Sequence, residues 1–334
     1  MKILLRNLVN LFARNKTAAL LNIAGLTVAF ASFMLIMMQV WYELGYDRCY
    51  PNANRIYGLC FQVPQSGDLG TVLPRPLAEK LLRSSAGIET GGCLSYQHGD
   101  PNVPFFRPER GPESAIAAGF SLVSRSWLDV FGFETLSGDL NAFSEPNAAI
   151  IPHSLAVKLF GSENPVGQTI AKSEGYREAA QFTIVAVYRD FPKNASLKND
   201  VYTDLKERLL QDFNNCSTPY FVRVKQNADI RRIEQDLLPL VWNYAKTYDE
   251  DSTRSQRLRL GLNDLYFFNE TISQEGGNRN TTYSLLTVAL LILLIAVINF
   301  INFTIAQAPA RMRSINTQKV FGCRSRQLRI NLIA

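Results

Sequence analysis

The stretch Leu285–Phe303 reads Leu-Leu-Thr-Val-Ala-Leu-Leu-Ile-Leu-Leu-Ile-Ala-Val-Ile-Asn-Phe-Ile-Asn-Phe. It carries no charge, and Thr287, Asn299 and Asn302 are its polar interruptions. At about 1.5 Å per residue it is long enough to cross a hydrocarbon core of roughly 30 Å. Beyond it stand Arg311, Arg313, Lys319, Arg324, Arg326 and Arg329, with no acidic residue to the end of the chain. An uncharged span with a purely cationic flank reads as a transmembrane helix whose C-terminal end faces the cytoplasm. A buried helix of a large soluble core is the competing reading, and both length and flanking charge weigh against it.

Working outward, a second span emerges near the N-terminus. Ala18–Val40 lacks charge and is followed by Trp41 and Tyr42, rings that favour the membrane interface. The run exceeds the apolar core of a usual signal peptide, so it reads as a retained anchor. Residues 18–42 and 283–305 are therefore expected to be the two membrane helices. Before the first, residues 1–17 place Leu4, Leu8, Leu11 and Phe12 at helical spacing among Lys2, Arg6 and Arg14, an amphipathic helix suited to the cytoplasmic headgroup layer.

Charge distribution excludes another class. The net charge is +6, which by itself would suit a nucleic-acid binder. Of the 35 basic residues, ten sit in the two terminal flanks, leaving 25 against 29 acidic residues in between. The middle is mildly acidic, and no nucleic-acid partner is expected.

With both flanks cytoplasmic, residues 43–282 lie outside, enough chain for a folded core. They read as α+β. Strands are expected at Arg55–Val63, Ala115–Val123, Asn147–Ile151, Phe182–Tyr188, Tyr220–Val224 and Leu258–Leu262. Helices are expected at Leu77–Leu82, Ser126–Phe131, Ser154–Phe160 with Ser154 as N-cap and Gly161 as stop, and Asp229–Tyr244, where Ile230, Ile233, Leu237 and Leu240 share a face. Ser273–Thr282 reads as a polar linker back to the membrane, and Leu159–Ile170 as a structural helix–turn with Phe160 in the core.

Chemistry-bearing patterns are sparse. His98 and His153 lack ligand spacing, no Cys pair is spaced CxxC, and neither a phosphate loop nor a Gly-x-Ser-x-Gly elbow occurs. Cys49, Cys60, Cys93 and Cys216 fall outside, where disulfides such as Cys49–Cys60 are permitted and buried thiols equally so. No catalytic residue, metal or cofactor is expected.

Several fragments carry a resemblance: Asn22-Ile-Ala-Gly-Leu-Thr, Glu43-Leu-Gly-Tyr-Asp-Arg, Asn52-Ala-Asn-Arg-Ile-Tyr, Leu159-Phe-Gly-Ser-Glu-Asn-Pro-Val-Gly-Gln-Thr-Ile, Asp190-Phe-Pro-Lys-Asn-Ala-Ser, Ile298-Asn-Phe-Ile-Asn-Phe-Thr and Gln318-Lys-Val-Phe-Gly-Cys-Arg-Ser-Arg-Gln-Leu. In order and spacing they resemble the MacB/FtsX-like ABC transporter permeases. That resemblance implies a periplasmic core domain at 43–282 made of two subdomains. Residues near 55–100 and 218–265 would build one, with about 105–215 inserted as the other. It implies an inner-membrane subunit without ATPase activity of its own. Such a subunit is a homo- or heterodimer with another permease, working with a separate ABC ATPase and with periplasmic or outer-membrane components. The cargo would be lipoproteins, peptides or toxic compounds. Residues 306–334 would be the cytoplasmic coupling segment, in a chain expected to continue into further membrane helices.

Two sets of site residues follow. Pro309 is expected to break the second span's helix, after which Lys319, Val320, Phe321, Gly322, Arg324 and Leu328 would contact the ATPase, with Gly322 as a bend. Asn22, Gly25, Asn299 and Asn302 would pack membrane helices together. The rival function is a membrane-anchored sensor or scaffold with a periplasmic ligand-binding domain.

Overall fold

The computed structural model describes residues 16–62, 69–70, 72–174, 177–206, 218–248, 258–260, 266–267 and 276–320. The chain divides into two compact units, residues 1–44 with 279–334, and residues 45–278. The expected helix over 1–17 falls almost wholly outside the described residues.

Among the described residues the first unit is helical. Helix α1 spans Lys16–Leu44 and a second long helix, α6, spans Arg279–Val320. Leu20–Leu44 and Arg279–Ala306 are each apolar enough to cross a membrane. On α1 the side chains turned from solvent include Asn22, Leu26, Ala29, Phe33, Ile36 and Val40, at alternating steps of four and three. On α6 they include Leu285, Ala289, Ile292 and Ala296, at the same period. This is the seam of two helices packed side by side, with small Ala289 and Ala296 at its buried positions. Leu21, Met34, Leu35, Ile295 and Ile305 point away from the seam. That apolar exterior suits lipid tails and would be costly in water.

Two expectations fail here. Helix α6 does not break at Pro309 but runs through it to Val320. Proline removes one backbone hydrogen bond, to the Ile305 carbonyl, and the flanking Ala306, Ala308 and Ala310 are strong helix formers that carry the helix past it. The linker is also shorter than expected, because Arg279–Thr282 already form the first turn of α6.

The outer unit is built on a mixed sheet with helices. Its strands are β1 (Ile56–Gln62), β2 (Leu69–Gly70), β3 (Val72–Leu73), β4 (Ile88–Phe106), β5 (Ile116–Val123), β6 (Thr135–Gly138), β7 (Ala148–Pro152), β8 (Thr169–Glu174), β9 (Arg177–Tyr188), β10 (Val201–Asp204), β11 (Thr218–Val224) and β12 (Leu258–Leu260). Its helices are α2 (Arg75–Ser84), α3 (Arg125–Phe131), α4 (His153–Phe160) and α5 (Ile230–Tyr248). Among the described residues the sheet order is β12-β1-β11-β4-β5-β10-β7-β9-β6. Strand β11 returns late in the chain to lie between β1 and β4, so the chain from β5 to β10, here called the inserted lobe, is an insertion into one continuous sheet. Strand β4 serves both parts. Its start pairs β11 (Cys93 opposite Tyr220), and its end pairs β5 (Phe105 opposite Ile116) and β8.

Strand alternation sorts the core. Along β7, Ala148 and Ile150 face one core and Ala149 and Ile151 the other. One core is mainly aliphatic and takes in α2, α4 and α5. Ile233, Leu237 and Val241 form the buried stripe of α5, each stabilising the fold by roughly 1.5–3 kcal/mol. Leu240, expected on that stripe, is only half-buried. The other core is aromatic: Tyr50, Trp127, Phe131, Phe133, Phe143, Tyr188, Tyr202 and Phe221. Strands β4, β8 and β10 answer to no expected element. Ser154 is not the N-cap of α4: the helix starts at His153, and Asp190 Oδ1 accepts from the Ser154 amide at 3.1 Å. A capping carboxylate distant in sequence replaces the local hydroxyl.

Candidate functional site

The expected packing residues lie in the helical unit. Asn299 Nδ2 donates to Asn22 Oδ1 at 3.5 Å. A Cβ added to Gly25 would stand 3.9 Å from Asn299 Nδ2, so the glycine faces the same amide. Asn302 is exposed and lies outside this group. Of the coupling residues, Lys319 and Val320 close α6, with Val320 85% exposed. Phe321, Gly322, Arg324 and Leu328 lie outside the described residues. Residues 307–320 carry the helix about 21 Å beyond the apolar span.

A third site emerges inside the outer unit. Gly45–Tyr50, the residues that directly follow α1, are bonded to the loop between β9 and β10. Ser196 donates twice to Asp47, from its amide to Oδ1 and from its hydroxyl to Oδ2, both at 2.6 Å. The Asp47 amide donates to the Asn194 carbonyl at 3.0 Å, and Asn194 Nδ2 donates to the Gly45 carbonyl at 3.1 Å. Tyr46 Oη donates to the Ala195 carbonyl at 3.4 Å, and the Leu197 amide donates to Tyr50 Oη at 2.9 Å. The Tyr50 ring meets Phe131 and Phe191 edge-on at 5.1 and 5.6 Å, which fixes it in the aromatic core.

Local sequence explains why this joint forms. Asp47 holds a left-handed backbone, φ 60°, a region that aspartate tolerates better than most residues. The receiving loop is braced from within: Asn199 bonds both the amide and the carbonyl of Phe191, at 2.7 and 3.0 Å. Tyr188 and Tyr202 donate to the carbonyls of Asp200 and Lys198. Asp47 is 2% exposed. Burial pushes its carboxyl above the ordinary range, against the hydrogen bonds of Ser196 and Tyr50 and the charge of Lys198. Asp200 is raised in the same way by burial, with Ser121 and Lys198 opposing.

Elsewhere the surface offers a polar groove of about 410 Å³ lined by Asn52, Arg55, Tyr57, Lys225 and Asn227. Its Arg55 is engaged by Glu89 at 2.8 Å and by the Val224 carbonyl at 3.1 Å. Among the described residues no group of His, Cys, Asp and Glu is placed to hold a metal ion. His153 is exposed, Cys49 is an exposed free thiol, and Cys93 is a buried one. The joint was not read as a site from sequence. Its two halves were nonetheless visible as the fragments Glu43–Arg48 and Asp190–Ser196, with no signal that they meet.

A family profile described as MacB-like periplasmic core domain matches residues 19–240. Among solved structures, the chain resembles a domain of a permease candidate from Porphyromonas gingivalis, with TM-score 0.53 and 18% identity over 64% of this chain and 92% of that one. It is also similar to the extracellular domain of the noncanonic ABC-type transporter YknZ from Gram-positive bacteria, with TM-score 0.42 and 14% identity over 61% and 99% of the two chains. A third likeness is to the periplasmic region of MacB from Actinobacillus actinomycetemcomitans, with TM-score 0.42 and 12% identity over 66% and 91%. No curated protein matches the chain.

Proposed function

The chain belongs to the family that carries a MacB-like periplasmic core domain, and from that premise we propose that it is the permease subunit of an ABC-type transporter in a bacterial inner membrane. It works as a dimer, with itself or a second permease, alongside a separate ATPase. It relays ATP-driven movement to an outer domain spanning residues 43–282, in which about 105–215 move as a subdomain. The cargo is a lipoprotein, peptide or toxic compound extracted or exported at the outer face. Asn22, Gly25 and Asn299 hold α1 against α6, and Asn302, exposed on α6, packs against a further membrane helix. Lys319, Val320, Phe321, Gly322, Arg324 and Leu328 contact the ATPase.

The observation that carries this reading is α6, one helix that continues about 21 Å past the apolar span into a cationic segment. A continuous helix transmits displacement along its axis, which a flexible tail does not. Apolar Val320 and Phe321 amid that charge suit insertion into a partner's groove. Phe321→Asp places a charge at the anchor. It is expected to leave membrane insertion intact and to reduce co-purification of the ATPase by 30-fold or more in affinity, since a buried interface anchor contributes about 2 kcal/mol or more. Undiminished capture together with normal transport would restore a plain positive-inside flank.

A further inference from the structure

We infer that the joint between Gly45–Tyr50 and Asn194–Leu197 is a closed mechanical coupling that delivers movement of α1 to the inserted lobe, ahead of the strand that follows α1 in the chain. This rests on the permease reading above and names the route by which its outer movement is driven.

Chain order alone predicts a different route. After Leu44 the polypeptide runs through a short turn into β1, which lies in the part of the sheet outside the insertion. A pull on α1 would then reach β1 first. The hydrogen bonds say otherwise. Gly45, Tyr46, Asp47 and Tyr50 are each bonded to Asn194, Ala195, Ser196 or Leu197, roughly 150 positions away. Those partners sit between β9 and β10, two strands of the inserted lobe.

Three features make the joint stiff. Both Asp47 oxygens are occupied at 2.6 Å by one residue, Ser196, so the carboxylate cannot swing without losing both bonds. Tyr50 is wedged among Phe131 and Phe191, and Pro51 packs on Gly132, where an added Cβ would stand 3.2 Å from Pro51 Cγ. The loop that receives them is held by the two Asn199 bonds to Phe191. Between the joint and β1 the chain has a left-handed residue, Asn52 at φ 61°, and one three-residue turn, Ala53–Arg55. The turn's Ala53 packs against the aromatic core, and its described side-chain hydrogen bonds are those of Arg55 to Glu89 and to the Val224 carbonyl.

The test uses the full chain in nanodiscs with the ATPase that co-purifies with it. A donor dye on Val157→Cys, an exposed position in α4 of the inserted lobe, reports transfer to acceptor dyes in the headgroup layer. All variants are made in a background with the native cysteines replaced by serine. The wild-type joint is expected to show a nucleotide-dependent change in transfer. Asp47→Cys with Ser196→Cys, oxidised to lock the joint, is expected to keep that change in full. Asp47→Ala with Ser196→Ala is expected to lose most of it, with amide exchange over β7 and β9 unaltered. If that pair misfolds, Ser196→Ala alone replaces it and is expected to reduce the change at least twofold. A full change in the opened variant, or its loss in the locked one, overturns the inference alone. A wild type that captures no ATPase, or shows no nucleotide-dependent change, overturns the permease reading and the inference with it.

Discussion

Asp47 shows how one buried carboxylate can be structural and costly together. Its folded-state pKa is raised by burial, so the folded protein holds the proton more tightly than the unfolded chain. Its contribution to stability is therefore largest below the ordinary aspartate value, near 3.8, and is lost as pH rises through the raised folded value. Asn has the same shape and no charge to desolvate. Asp47→Asn is expected to gain stability relative to the wild type as pH climbs from 3.5 to 7, read from thermal unfolding of residues 45–278. A difference between the two that stays flat over that range would refute the assignment. Phe160 sits at the other extreme, a residue whose role is only packing. It is 3% exposed in the aliphatic core, with the Arg107 guanidinium 4.9 Å from its ring centroid. Phe160→Ala is expected to cost about 3–5 kcal/mol in denaturant unfolding. A stable domain with lost transport would make it a contact residue instead. Both halves of the joint were visible in sequence only as short fragments, because a pair some 150 positions apart leaves no local pattern.

The long helices were the most legible elements, since an uncharged run of some twenty residues has few other fates. Their ends were not. Pro309 and the polar run before Leu285 both looked like boundaries, yet neither halts α6. Helix termini depend on whether an orphaned carbonyl finds a partner, which composition does not reveal. Strand β10 was invisible for another reason: Val-Tyr-Thr-Asp is short and half polar, and only its place between β5 and β7 makes it a strand. Strand β4 carries Gly91 and Gly92, and the latter is required, because an added Cβ would strike the Trp127 backbone. At this scale the Asn22–Asn299 contact is open to measurement. In bicelles, a double-mutant cycle with Asn22→Leu and Asn299→Leu is expected to give a coupling of about 0.6–2 kcal/mol, the range for polar contacts between membrane helices. A coupling near zero would leave the α1–α6 pair to apolar packing alone.

Over the whole molecule, charge predicts orientation. Residues 1–17 and 304–334 are expected in the cytoplasm and 43–282 outside. In spheroplasts lacking native cysteines, an impermeant thiol reagent should label Val157→Cys and spare Lys16→Cys, and the reverse pattern would invert the topology. The sequence by itself determined the two apolar spans, the cationic flanks, the α+β character of what lies between, and the family. These are properties of composition, period and local order, which the chain states without folding. Only the tertiary structure decided that β11 returns between β1 and β4, that alternate strand residues feed two different cores, and that Gly45–Tyr50 are tied to a loop beyond β9. Each of those depends on contacts between residues far apart in the chain. Such contacts form when a whole sheet buries both faces, and no window of sequence contains both partners.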